Sequence, residues 1–139
     1  MSGILLVRDI MTRNVKTVRT DDNVRGAVLK MNKFRIGSVI VTNNGRPVGI
    51  ITERNILQRI VEPGLDPAMV RAKDIMSSPL VTIDANAVIE EAAKIMATKR
   101  IKKLPVVEGD RVVGIVSTSD IVRSNPTQLG ILEELLRVR

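Results

Sequence analysis

The segment Gly114-Ile115-Val116-Ser117-Thr118-Ser119-Asp120 gathers several groups that could do chemistry. An apolar run stops, hydroxyls follow, and a carboxylate stands where a helix would open. Free N–H groups at a helix start attract phosphate. Ser117 and Ser119 add donors, and the Asp120 carboxylate can accept both hydrogens of a ribose diol. The same residue types also cap a helix with no ligand at all, because their oxygens satisfy orphan backbone donors. Both readings stay open on these residues. The pattern returns at Gly49-Ile50-Ile51-Thr52-Glu53-Arg54-Asn55, with an amide where the other copy has a carboxylate. A third feature is the basic run Lys99-Arg100-Ile101-Lys102-Lys103. It reads as a solvated face or as a patch that attracts phosphate.

Other chemistries are excluded by residue type. The 139 residues contain no Cys and no His. Disulfides, thiolate nucleophiles, Cys-ligated metals, zinc hydrolase sites and His-based serine triads therefore cannot form. The carboxylates show neither a nucleophile pairing nor metal-ligand spacing, so no catalytic centre and no metal site are expected. Phe34 is the only aromatic residue, which argues against stacked single-strand recognition. A net charge of +7 favours an anionic partner. No apolar run approaches the ~18 residues of a membrane span. Gly3-Ile4-Leu5-Leu6-Val7 is too short for a signal-peptide core, so a cytoplasmic protein with no membrane partner is expected.

These groups are positioned by an internal repeat. Residues 9–58 align with 74–123 at an offset of 65 without a gap, and 14 of the 50 positions are identical. Roughly three identities would arise by chance at ordinary composition. Val7-Arg8-Asp9-Ile10-Met11-Thr12 returns as Ala72-Lys73-Asp74-Ile75-Met76-Ser77, and the Met residues in it suit core packing. Each copy predicts the order β-α-β-β-α. Asp21-Asp22 can cap a helix carrying Val24, Ala27, Val28 and Met31 at helical spacing; the second copy has Ile89, Ala92, Ala93 and Met96. Asn43-Asn44-Gly45 and Glu108-Gly109-Asp110 mark the turns of two hairpins. The closing helices are expected over about residues 54–61 and 119–123. The domain reading is a first repeat over 1–62, a linker over 63–71 with Pro63, Gly64 and Pro67, a second repeat over 72–124, and an amphipathic helix over 125–139 carrying Leu129, Leu132, Leu135 and Leu136.

Tandem repeats with Asp-Ile-Met near the start, and a Gly-apolar-apolar-[Thr/Ser]-x-x-Asp segment after the hairpin, resemble CBS domains. Two of these form a Bateman module. The resemblance covers about residues 7–123. It implies an α/β (α+β) fold of two β-α-β-β-α repeats packed with pseudo-two-fold symmetry, plus the C-terminal helix. It also implies adenosine ligands such as AMP, ADP, ATP or S-adenosylmethionine, bound in clefts between the repeats, with the nucleotide as a regulatory ligand and not a catalytic cofactor.

The resemblance further implies crossed sites. One cleft would join Ser117, Ser119 and Asp120 to Thr17, Ile36, Gly37, Ser38 and Ile40, with Asp120 on the ribose and the backbone of 36–38 on the adenine edge. The other would join Thr52, Arg54 and Asn55 to Thr82, Ile101, Lys102, Lys103 and Pro105. Asn55 departs from the family pattern there, since an amide holds a diol less well than a carboxylate. The expected function is a stand-alone, non-catalytic adenine-nucleotide sensor, homodimeric, acting on a regulated protein. The alternatives are a nucleic-acid-binding accessory protein using the basic surface, and a structural dimerisation module with vestigial clefts.

Overall fold

The computed structural model describes residues 4–124. The expected helix over 125–139 lies outside the described residues. Elements run α1 (Val7–Ile10), β1 (Thr17–Arg19), α2 (Val24–Phe34), β2 (Ser38–Asn43), β3 (Arg46–Thr52), α3 (Glu53–Ile56), a π-turn over Leu57–Val61 and a 3-10 turn over Pro67–Met69. They continue as α4 (Ala72–Ile75), β4 (Ile83–Asp84), α5 (Ile89–Lys99), β5 (Lys103–Glu108), β6 (Arg111–Ser117) and α6 (Thr118–Ser124). The order β-α-β-β-α occurs twice, as the pattern predicted. Two three-stranded sheets form, β1-β2-β3 and β4-β5-β6. In each, the first strand runs parallel to the second and the hairpin is antiparallel. The fold is α+β.

Local chemistry explains the elements. Asn44 and Gly45 both take positive φ, which a two-residue hairpin turn requires. The cap of α2 differs from expectation: Asn23, not Asp21 or Asp22, accepts from Gly26 N–H at 2.8 Å. Asp22 instead accepts from Arg19 N–H at 2.8 Å and closes the turn before the helix. Asn and Asp cap about equally well, so position within the turn decides. The closing helices start one residue earlier than expected, at Glu53 and Thr118.

The chain divides into two compact units, and their boundaries are not those of the repeats. One unit is Val15–Leu80; the other joins residues 4–14 to 81–124. Each sheet and its helices therefore take up the Asp-Ile-Met arm of the other repeat. In the 15–80 unit, Ala72 and Ile75 of α4 are buried with Val18, Val24, Ala27, Val39, Val41 and Ile51. In the other unit, Val7 of α1 is buried with Ile83, Ile89, Met96, Leu104, Val116 and Ile121. Burial of a side chain such as Val7 or Ile75 contributes ~1.5–3 kcal/mol. The segment expected as a linker packs on the 15–80 unit: Val24 N–H donates to Val70 O at 2.9 Å, and Leu65 N–H to Ile60 O at 2.9 Å.

Each arm is clipped by the same device. Ile50 and Ser77 exchange backbone hydrogen bonds at 3.1 and 2.8 Å, as Thr12 and Ile115 do at 2.8 and 2.9 Å. Beside each clip a methionine crosses a glycine. A Cβ on Gly49 would stand 2.5 Å from Met76 Sδ, and one on Gly114 would stand 2.5 Å from Met11 Sδ. Glycine is needed at both positions for this close approach, and Met11 and Met76 pack against the two cores as the sequence suggested.

Candidate functional site

Within each unit, the segment after the long helix lies beside the segment that ends the hairpin. In the 15–80 unit, α2 ends on Arg35 in the left-handed region, and Ile36 N–H donates back to Met31 O at 3.0 Å. Gly37 O then accepts from Glu53 N–H at 3.2 Å, and Ser38 pairs with Thr52 across the hairpin. Thr17 pairs with Ile40 in parallel register. Thr17, Ile36, Gly37, Ser38, Ile40, Thr52, Arg54 and Asn55 thus all belong to one unit. Ser38, Ile40 and Asn55 are buried, whereas Thr17 and Arg54 are exposed.

The other unit repeats this arrangement. Arg100 takes the left-handed cap of α5, and Ile101 N–H donates to Met96 O at 3.1 Å. Lys102 O accepts from Thr118 N–H at 3.0 Å, and Lys103 pairs with Ser117. Pro105, buried, pairs with Ile115, and half-buried Thr82 leads into β4. Thr82, Ile101, Lys102, Lys103 and Pro105 thus belong to the same unit as Ser117, Ser119 and Asp120. The antiparallel register sets the start of β5 opposite the end of β6, so Lys103 and Ser117 are neighbours.

The helix starts are capped, as the ligand-free reading of the motif required. Ser117 N–H donates to Asp120 Oδ2 at 2.9 Å, while Asp120 N–H donates to Ser117 Oγ at 3.1 Å. Thr52 and Asn55 form the same reciprocal box: Thr52 N–H donates to Asn55 Oδ1 at 2.9 Å and Asn55 N–H to Thr52 Oγ1 at 3.2 Å. A cap of this kind is worth ~0.5–2 kcal/mol. Ser119 is exposed and takes no part in it. Beyond the boxes the units diverge. Asp120 Oδ1 accepts from Arg123 Nη2 at 2.6 Å, whereas Asn55 Nδ2 donates to Ser77 Oγ at 3.1 Å. Sequence reasoning missed Arg123 and Ser77 as partners. The signals were an i, i+3 charge pair and a hydroxyl that recurs after Asp-Ile-Met in both arms.

Two open concavities flank the boxes. One, of about 250 Å³, is lined by Val28, Met31, Asn32, Ile36, Glu53, Ile56 and Leu57. The other, of about 300 Å³, is lined by Thr118, Ser119, Val122 and Arg123. Among the described residues, Lys99, Arg100, Lys102 and Lys103 make no salt bridge, and no group of three or more metal-ligating acids occurs. No helix of the described residues is long and apolar enough to cross a membrane.

Comparison with known proteins agrees with the repeat. The CBS domain model matches residues 7–62 and again 72–126. The chain is 35% identical over 133 residues to the protein MK0525 of Methanopyrus kandleri, spanning 94% of this chain and 68% of that one. Among solved structures it is similar to the CBS-domain protein TA0289 from Thermoplasma acidophilum, at TM-score 0.86 and 27% identity, covering 98% of this chain and 78% of that one. It is also similar to a hexameric CBS-CP12 protein from bloom-forming cyanobacteria, at TM-score 0.83 and 33% identity, covering 90% of this chain and 74% of that one. With two matched copies, a fold shared with these proteins and one recurring capped strand-to-helix site per unit, this chain belongs to the CBS domain family as a tandem pair.

Proposed function

We propose that this chain is a non-catalytic regulatory module that binds adenosine nucleotides, with AMP, ADP, ATP and S-adenosylmethionine as the candidate ligands. A nucleotide acts on a regulated partner only through its difference in affinity between two states of the module. A sensor of this kind works where nucleotides are pooled, so the proposal carries a cytoplasmic location with it.

The observation that carries the reading is the recurrence, in both units, of a hydroxyl-and-carboxamide or hydroxyl-and-carboxylate box beside the turn that follows the long helix. Beside the crossed clefts that the family resemblance implies, we propose an arrangement in which each ligand lies along one unit. Thr82, Ile101, Lys102, Lys103 and Pro105 would serve the base, with Ser117, Ser119 and Asp120 serving the ribose and phosphate. Thr17, Ile36, Gly37, Ser38 and Ile40 would form the corresponding set with Thr52, Arg54 and Asn55. The support is the pairing of Lys103 with Ser117 and of Ser38 with Thr52. The 81–124 set is the stronger site, because Asp120 offers a carboxylate where Asn55 offers one amide oxygen already used in its cap.

Calorimetric titration with AMP, ADP, ATP, S-adenosylmethionine and a DNA oligonucleotide tests the function. Amide shifts during the AMP titration test the grouping: residues 101–104 and 117–120 should move together at the lowest ligand concentration. Movement of 36–38 with 117–120 would favour the crossed sites. The basic run at Lys99–Lys103 supports a second reading, nucleic-acid binding, which salt-sensitive, sequence-independent DNA affinity would favour. A purely structural module would bind none of these ligands.

We further infer a homodimer. Leu29, Leu57, Val61 and Leu65 expose apolar side chains on the 15–80 unit, and a second copy would cover them. Light scattering on the full chain and on a chain ending at Pro126 tests this and asks whether the Leu129–Leu136 stripe contributes. A monomer at micromolar concentration would defeat it.

A further inference from the structure

We propose that Arg123 is a specificity-determining residue, which covers Asp120 in the free protein and moves to the phosphate of a bound nucleotide. The inference rests on the adenosine reading above and adds to it a selection for phosphorylated ligands.

The Asp120 carboxylate has two different sides. Oδ2 is committed to Ser117 N–H within the cap, while Oδ1 faces Arg123 Nη2 at 2.6 Å. The Asp120 side chain is only 11% exposed, whereas that of Arg123 is 70% exposed. A ribose diol can therefore reach the carboxylate chiefly through Oδ1, where the guanidinium stands. Moving so exposed a partner costs little, because surface ion pairs are weak. It must still be moved, and a ligand without an anion returns nothing to it. A phosphate gives the guanidinium a charge-assisted partner, two of whose oxygens its planar fork can bind. Arg123 also lines the concavity of about 300 Å³ together with Thr118 and Ser119, so an anion held there lies within its reach.

The other unit acts as an internal contrast. The positions equivalent to Asp120 and Arg123 are Asn55 and Gln58, so both charges are absent together. Asn55 turns its amide to Ser77 instead. The position equivalent to Thr118 is Glu53, an acidic residue that lines the concavity of that unit. Phosphate selection is thus a property of the unit that carries Asp120.

The test is calorimetry on the full chain with adenosine and AMP, comparing the unaltered protein with Arg123→Gln and Arg123→Lys. Arg123→Gln should bind adenosine no more weakly, and up to about fivefold more tightly, as expected from loss of a surface pair. Its preference for AMP over adenosine should fall about tenfold or more, the scale of a hydrogen bond to a charged group. Arg123→Lys should keep part of the preference, as a point charge without the fork. If a variant is less stable, both affinities fall alike and their ratio still reports on Arg123. An unchanged AMP-to-adenosine ratio in Arg123→Gln overturns the inference while leaving the nucleotide reading intact. Failure of the unaltered protein to bind either ligand overturns both.

Discussion

The side-chain amide of Asn55 donates to the hydroxyl of Ser77 at 3.1 Å, tying the helix cap of the first hairpin to an arm that the sequence places in the second repeat. Asn55 is 6% exposed and also accepts from Thr52 N–H, so its whole amide is engaged inside the 15–80 unit. Arg59 holds the same arm by donating to Ile75 O and Met76 O at 2.8 and 3.0 Å. Side-chain hydrogen bonds from Asn55 and Arg59 thus hold residues 75–77 against the end of the first hairpin.

From this relationship, Asn55→Ala should lower stability by ~1–2 kcal/mol, combining a lost cap with an unpaired hydroxyl. Ser77→Ala should cost ~0.5–1.5 kcal/mol. The double variant should lose less than the sum, since the two share one hydrogen bond. Urea denaturation of the four proteins measures the coupling; strict additivity would show that the bond contributes nothing.

Gly49→Ala and Gly114→Ala should each destabilise by ~1–3 kcal/mol, the range for overpacking. The added Cβ meets methionine sulfur at 2.5 Å in both cases, but also Ser77 O at 2.9 Å or Thr12 O at 3.0 Å. Adding Met76→Ala to Gly49→Ala should therefore not restore stability, because the backbone contact remains. Full recovery in denaturant melts would locate the clash in the side chain alone.

Asp120→Ala and Asp120→Asn separate the two roles of this carboxylate. Alanine removes the acceptor for Ser117 N–H and should cost ~0.5–2 kcal/mol of stability. Asparagine keeps an acceptor there and should fold about as well. Both should weaken AMP binding by ~1.5–3 kcal/mol through loss of the charge. Normal AMP affinity in Asp120→Asn by calorimetry would remove Asp120 from the ribose role.

Ligands with more phosphates should bind more tightly at low salt, and the preference should shrink as salt rises. The basis is the net charge of +7 and the cations at Lys99, Arg100, Lys102 and Lys103, which make no salt bridge among the described residues. Lys102 belongs to the same unit as Asp120, and its carbonyl accepts from Thr118 at the start of α6. Screening acts beyond ~8 Å at physiological ionic strength, so the adenosine contacts should change little. Dissociation constants for adenosine, AMP, ADP and ATP at two salt concentrations measure it. Equal affinity of ATP and adenosine at low salt would return the basic run to a solvated face.

Much of this protein was legible in the residues themselves. The helical spacing of Val24, Ala27, Val28 and Met31 marked α2, and Asn43-Asn44-Gly45 marked the hairpin, because these are local preferences of a few adjacent residues. The 65-residue offset then marked the second copy, and the hydroxyl–amide and hydroxyl–carboxylate segments located the two caps. The tertiary structure alone decided which sheet each Asp-Ile-Met arm joins. Ile50 meets Ser77, and Thr12 meets Ile115, through backbone bonds between distant residues, and backbone pairing leaves no side-chain signature. The backbone contact between Lys103 and Ser117 is likewise a matter of pairing. Lys103 and Ser117 are neighbours because a hairpin register places them opposite each other, and register is a property of paired strands rather than of either strand alone.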